Sequence, residues 1–356
     1  MIPLFWPQQY KKEWLKALAD VFDTRWIGQG PLVDQFENEF GKKFGYDYCV
    51  AVNSGSAALE LAYHLIGIGE EDEVITPCFT CTATNMSLLR HKAKIVFADT
   101  GNDLLIDYKD VKKKVSSHTK AIIAVTLGGL PVDEKIFNLA EKLGIPVVVD
   151  AAQSLGVSEK QGNYICYSFQ AIKHFTTGDG GMLVVRNEDE YNRAKKLRWF
   201  GIDREAKRRV DFNCLVNRQI TQEIEEPGFK YHMNDMAAAL GLVGLKHTDE
   251  ILDYRKDLCA RYAAKMPKDI KCIYGGSHWL FAVLTKDRNN LIEYLRNSGV
   301  ECDLVQLRND IFQAFGGKRW DLPNMNRLEN EYLYLPLHCN VTHNHVDYIT
   351  KLLHNL

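Results

Sequence analysis

The stretch Tyr167-Ser168-Phe169-Gln170-Ala171-Ile172-Lys173-His174-Phe175-Thr176-Thr177-Gly178-Asp179-Gly180-Gly181 decides the fold when read with Pro146-Val147-Val148-Val149-Asp150 ahead of it. Three valines ending in an aspartate predict a buried strand whose carboxylate stands at the C-terminal edge of a parallel sheet. Ligands of open α/β folds collect at that edge. Lys173 follows Asp150 by 23 residues. Apolar and small hydroxyl neighbours solvate it poorly, so its amine is easier to deprotonate and can form a Schiff base. The compact turn over residues 176–181 leads straight into an apolar strand and holds this lysine in place. A solvated surface lysine is the ordinary alternative.

Outward from this stretch, short β-rich runs alternate with helical ones. The runs cover residues 48–52, 73–75, 94–98, 121–127, 146–150, 164–169 and 182–185. This alternation predicts an α/β fold with a mostly parallel seven-stranded sheet between helices. Ahead of it, residues 11–22 read as a helix with Trp14, Leu15, Leu18, Val21 and Phe22 on one side. A second helix follows Gly28-Gln29-Gly30-Pro31 and carries Val33, Phe36, Phe40 and Phe44 at helical spacing. Residues 231–246 are strongly helical. Beyond them the texture changes to strand (279–284), helix (289–297), strand (300–306) and helix (345–354). The expected division is a large domain over 1–245 and a smaller C-terminal α/β domain over 246–356.

Composition narrows the function classes. A formal net charge of −2 without long like-charge runs speaks against a nucleic-acid or membrane-surface protein. No apolar run approaches membrane-spanning length, and residues 1–12 do not read as a signal peptide. Nine scattered cysteines, an odd number, favour reduced thiols in a cytoplasmic protein.

The lysine and aspartate are what pyridoxal 5'-phosphate (PLP) asks of a protein: an amine that captures an aldehyde and a carboxylate facing the ring nitrogen. Val52-Asn53-Ser54-Gly55-Ser56-Ala57-Ala58-Leu59 adds a Gly-Ser turn between strand and helix, whose N-terminal amides suit a phosphate. An ordinary N-cap serine reads the same way. Ser168, five residues before Lys173, offers a second phosphate contact, or a hydrogen bond within its own strand.

Other candidates read as bland. Cys78-x-x-Cys81 lacks the second pair a zinc ribbon needs, and His338, Cys339, His343 and His345 are irregularly spaced for a metal. No G-x-G-x-x-G motif opens a helix after a strand. Lys112-Lys113-Lys114 and the basic stretch over 204–209 read as solvated faces, the latter with a weaker reading as a pyrophosphate contact.

These segments resemble the DegT-type nucleotide-sugar aminotransferases, of the fold type I PLP enzymes. The similarity runs from Trp26-Ile27-Gly28-Gln29-Gly30-Pro31 through the turn at Ser54, Asp150-Ala151-Ala152-Gln153, the stretch from Ser168 to Gly181, and Gly228-Phe229-Lys230-Tyr231-His232-Met233-Asn234-Asp235. It reaches Leu335-Pro336-Leu337-His338, so it covers nearly the whole chain.

The resemblance implies that Lys173 forms the internal aldimine and then moves the proton between carbons. It implies that Asp150 pairs with the pyridinium nitrogen and that Gln153 lies near the phenolic oxygen. Gly55, Ser56 and Ser168 would hold the phosphate, with Ala57 beside them, and Lys230 would complete the partner's phosphate site in a homodimer with shared active sites. Cys81 stands where the family often has an aromatic residue stacked on the ring, so the ring has less contact there unless Phe79 leans in. Lys230 and His232 replace the asparagine and arginine of many relatives.

The implied reaction moves an amino group from an amino acid, expected to be glutamate, to a nucleotide-linked keto-deoxysugar, with pyridoxamine phosphate formed in turnover. The Gly228-Phe229-Lys230-Tyr231 form favours a 4-keto-6-deoxyhexose. Amination at carbon 3 is an alternative, and the nucleotide base is left open. A pyridoxamine-dependent sugar dehydratase is a further alternative, but such relatives replace the lysine with histidine. A non-catalytic regulatory protein of the same fold is the alternative from another class.

Overall fold

In the computed structural model, which describes residues 1–157, 161–204 and 224–355, local sequence signals set the helix boundaries. Pro31 opens the helix Pro31–Phe44, and Gly45 closes it in the left-handed conformation at φ 74°. Ser54 caps the helix Gly55–Ile66 by accepting from the Ala57 amide. One cap comes from far away in sequence. The buried Asp235 carboxylate accepts from the amides of Gly30, Leu32 and Val33, joining the start of Pro31–Phe44 to the start of the helix Asp235–Lys246.

The main sheet holds β1 (Tyr48–Val52), β2 (Glu73–Pro77), β3 (Lys94–Ala98), β4 (Thr119–Val125), β5 (Val147–Asp150), β6 (Tyr164–Ser168) and β7 (Gly181–Val185), in the order β1-β7-β6-β5-β4-β2-β3. Strands β3, β2, β4, β5 and β6 are parallel, and β7 runs antiparallel between β6 and β1. The sheet is mostly parallel, as the alternating pattern predicts. Its two faces are covered separately. One bears Val50, Val52, Val148, Cys166 and Leu183 against the helix Gly55–Ile66; the other bears Ala51, Ile122, Val149, Tyr167 and Met182 against Val33, Phe36 and Phe40.

A second sheet orders β8 (Lys271–Ile273), β9 (Phe281–Leu284) and β10 (Tyr332–Leu335) as β10-β9-β8, all antiparallel. Phe281, Val283, Leu333 and Leu335 pack under the helices Thr248–Lys265, Arg288–Asn297 and His343–Leu353. The alternate residues Ala282, Leu284, Tyr332 and Tyr334 face the first core, where Phe79 and Trp279 lie. The strand expected over 300–306 is not formed. Val300 and Asp303 make only single bridges, to Ile2 and Tyr334, and Val305 sits at φ 57°, which breaks extended backbone. β8 and β10 carry too few residues to show a period in the sequence.

The N-terminal segment crosses to this second region. Ile2 exchanges backbone hydrogen bonds with Gly299 and Glu301, and the Leu4 amide donates to the Glu301 carboxylate. The apolar side expected of the helix Lys11–Phe22 is only partly covered: Val21 is buried, whereas Leu15 and Phe22 are exposed.

An ion pair locks the outer edge of the large sheet. Arg198 and Glu37 are 1% and 5% exposed, and their side chains pair directly. Glu37 also accepts from the Ala51 amide, and Arg198 donates to the Ala51 carbonyl, so two helices clamp β1. Removing one partner leaves a buried charge uncompensated, at a cost of about 3–5 kcal/mol. R198M is therefore expected to lower the unfolding free energy by that amount in chemical denaturation, and the double substitution E37L/R198M to recover part of it.

Candidate active site

Five strand ends and one helix start meet on one edge of the main sheet. Gly181 pairs with Val52 on one side and with Ser168 on the other, and Asp150 pairs with Val125. A side chain at Gly181 would fall 2.4 Å from the Ser54 carbonyl oxygen, and one at Gly55 would fall 2.8 Å from Ser168 Cβ. Only glycine lets these backbones approach so closely. The result is a cavity of about 560 Å³ lined by Gly55, Ser56, Cys81, Asp150, Gln153, Ser168 and Lys173 among others.

One end of this cavity is the first turn of Gly55–Ile66. The amides of Gly55 and Ser56 have no partner within the helix. The Ala57 amide is engaged by Ser54 Oγ, and Ala57 is buried behind the cavity rather than in its wall. Ser168 Oγ accepts a 3.3 Å bond from the Gln170 amide, which leaves its own hydrogen free to donate.

Asp150 forms the floor. Its Oδ2 accepts from Thr84 Oγ1 at 2.6 Å and its Oδ1 from the Ala152 amide at 3.1 Å. Burial pushes its pKa up, against the opposing pull of these hydrogen bonds and of the Lys173 charge. A cation brought against this carboxylate would relieve the desolvation. Gln153 is fixed by accepting from the Gly128 amide through Oε1 at 2.7 Å. Because that partner is a donor, the oxygen must face it, and the Gln153 NH₂ is left to donate elsewhere.

Lys173 sits at the end of a knotted turn. The Phe169 carbonyl accepts from Thr176 Oγ1 and the Thr177 amide, and the Phe169 amide donates to the Gly180 carbonyl. Lys173 Nζ lies 4.2 Å from the centroid of the Trp279 ring, whose Nε1 donates to the Ile172 carbonyl. Burial lowers the Lys173 pKa, and the neighbouring Cys81 and Asp150 work against it. His174, next in sequence, turns away: its Nε2 meets the Ser277 carbonyl at 2.9 Å, and burial drives its pKa well down, so it is neutral.

The remaining candidates divide. Cys81 is exposed and lines the cavity. Phe79 does not lean in. It is buried in the core, edge-on to Tyr332 at 4.7 Å, and bridged through its backbone to Arg308. Lys230 is exposed and outside the cavity wall of its own chain, with Nζ 3.6 Å from the Trp199 ring centroid. His232 lies against the same ring, and burial, then Lys230 and Arg204, bring its pKa down to about 4. No cluster of His, Cys, Asp and Glu among the described residues could hold a metal. Cys78 Sγ donates to Asp310, and His338 to the Pro3 carbonyl. Arg204 donates to Gln29, while 205–209 of the basic stretch lie outside the described residues.

Several participants escape a reading of the sequence. Thr84 and Trp279 are single residues without a motif. Arg308-Asn309-Asp310 follows a run that reads as a strand, which hides it. Arg308 grips Asp310 through two bonds of 2.7 Å. Asn309 donates to the Thr80 carbonyl and accepts from Asn85, while Thr80 and Thr84 share a hydroxyl contact. The second region thereby braces the loop that orients Asp150. Three polar residues between apolar Leu307 and Ile311-Phe312 were the available signal.

Comparison with known proteins agrees with this geometry. The model of the DegT/DnrJ/EryC1/StrS aminotransferase family matches residues 8–354. The spore coat polysaccharide biosynthesis protein SpsC of Bacillus subtilis (strain 168) is 32% identical, over 97% of this chain and 94% of that protein. Among solved structures, AtS13 from Actinomadura melliaura superposes with a TM-score of 0.92 at 30% identity, covering 100% of this chain and 99% of that one. The pyridoxamine form of the putative sugar aminotransferase Spr1654 from Streptococcus pneumoniae gives 0.90 at 26% identity, over 98% and 97%. With a lysine, a buried carboxylate and a helix N-terminus around one cavity, the chain belongs to the DegT/DnrJ/EryC1/StrS aminotransferase family, the PLP-dependent sugar aminotransferases.

Proposed function

We propose that the protein transfers the amino group of L-glutamate to carbon 4 of a nucleotide-linked 4-keto-6-deoxyhexose. The observation that carries this reading is that Lys173, Asp150 and the start of Gly55–Ile66 line one cavity. The residues fit pyridoxal phosphate: a cradle at Gly55 that a Cβ would fill, a buried carboxylate whose pKa is raised by burial, and a lysine whose amine burial biases toward neutrality. When bound, that group supplies an aldehyde that captures amines and a ring that accepts electrons released at the substrate carbon.

The chain's own residues do the rest. Gly55, Ser56 and Ser168 bind the phosphate, and Gln153 donates its NH₂ to the phenolic oxygen. Asp150 keeps the ring nitrogen protonated. Lys173 Nζ would take the proton from the amino-acid carbon and return it to the carbon on the other side of the shared nitrogen. We assign Lys230 of the partner subunit to the phosphate, in a homodimer; its exposure and its place outside its own chain's cavity support this. The same reading divides the chain into a cofactor-binding domain over 1–245 and a smaller domain over 246–356, and His247 separates the helices Asp235–Lys246 and Thr248–Lys265 at that boundary.

Turnover of glutamate with a panel of keto-sugar nucleotides tests the assignment directly. K173A is expected to lose at least about 10²-fold in turnover, the ordinary share of a positioned proton-transfer group. Unimpaired turnover by K173R would sink the role. The reaction with added cofactor, followed by its visible band, should accelerate as pH rises through the Lys173 pKa, because only the neutral amine attacks. That limb lies below the range of a free lysine. The Trp279 ring favours the charged ammonium, by about 0.5–1 kcal/mol, so W279L is expected to move the limb to still lower pH. A limb that stays put or moves upward refutes the role of the ring.

A further inference from the structure

Val305, Gln306, Leu307 and Phe312 form part of the cavity wall. Gln306 is 7% exposed, and its Oε1 is buried without a hydrogen-bond partner among the described residues. An unmet buried acceptor is a cost the fold would ordinarily avoid. The backbone that carries it is strained as well. The Gln306 amide donates to the Leu304 carbonyl at 2.6 Å across Val305, a tight three-residue turn that puts a β-branched residue at φ 57°. Such a turn persists only where its surroundings hold it. Here they do: Tyr332 Oη donates to the Gln306 carbonyl, Asp303 bridges to Tyr334, and the Asn309 amide donates to the Cys78 carbonyl. A strained turn, pinned on both sides, thus delivers an unsatisfied amide to the cavity that holds Lys173.

We propose that Gln306 is a specificity residue that reads a ring hydroxyl of the acceptor sugar, the one on the carbon beside the reacting carbonyl. A primary amide both donates and accepts, as a hydroxyl does, and its terminal torsion is broad enough to turn either atom toward the cavity. The carbonyl must reach Lys173, so the hydroxyl on the adjacent carbon enters the cavity with it. Leu307 and Phe312, 41% and 37% exposed at the same wall, suit the apolar flank of a deoxysugar. This inference rests on the proposed function and adds the means of selecting its acceptor.

Rapid mixing separates the two half-reactions. Glutamate alone bleaches the visible band in the first, and the sugar restores it in the second. The probes are the dTDP-, UDP- or GDP-linked 4-keto-6-deoxyhexose that the wild type uses best and its 3-deoxy counterpart. In Q306L, the sugar half-reaction is expected to fall at least about 10-fold further than the glutamate half-reaction. The preference for the hydroxylated sugar over its 3-deoxy counterpart should shrink by a similar factor. Q306E, which keeps the size and one acceptor, should lose less and guards against misfolding of the leucine variant. Equal losses in both half-reactions, or an undiminished preference in both variants, would overturn the inference. Failure of the wild type on every sugar, with the glutamate half-reaction intact, would instead remove the proposed acceptor and this inference with it.

Discussion

Everything at the site depends on how closely three backbones approach one another. Gly181 lies between Val52 and Ser168 in the sheet, against the Ser54 carbonyl, and Gly55 lies against Ser168. This contact aims the first turn of Gly55–Ile66 across the end of the sheet. It also sets the height of the cavity floor relative to that turn. A methyl group at Gly181 would push the helix away from the strand ends, and the amides would no longer converge with the lysine.

Around that contact, charge is arranged so that a bound group completes it. Asp150 is held by two donors yet left under-stabilised by burial, and Lys173 is held over an aromatic ring yet biased toward its neutral form. Each is in a condition that a pyridine ring with an aldehyde would improve. Electrostatic preorganisation of this sort is stored by the rigid frame, here the Arg308-Asn309-Asp310 clamp acting through Thr80 and Thr84.

The sequence revealed what is local. Periodicity placed the strands of the main sheet, and the valine run with its aspartate and the turn after Lys173 marked the edge where the cavity opens. What it hid is what distance decides. Asp235 capping a helix two hundred residues away, Thr84 reaching Asp150, and Trp279 under Lys173 are pairings without spacing rules. The run over 300–306 looked like a strand because its apolar residues alternate as a strand's do. A single left-handed residue at Val305 overrode that pattern, for reasons that lie in its tertiary surroundings.

The first residues of the chain matter to this chemistry in a way their position does not suggest. Ile2 and Leu4 dock on residues 299–301, and Phe5 stacks at 5.9 Å against Trp279, the ring beneath the lysine. Residues 2–5 are therefore seated by segments nearly three hundred positions further along the chain. Lys173 and Asp150 lie in sequence between these contacting segments. Such long-range closure is slow and comes late in folding. The ring beneath Lys173 thus gains its Phe5 neighbour only when contacts of the longest range close, so the surroundings of this lysine are among the last parts of the cavity to settle.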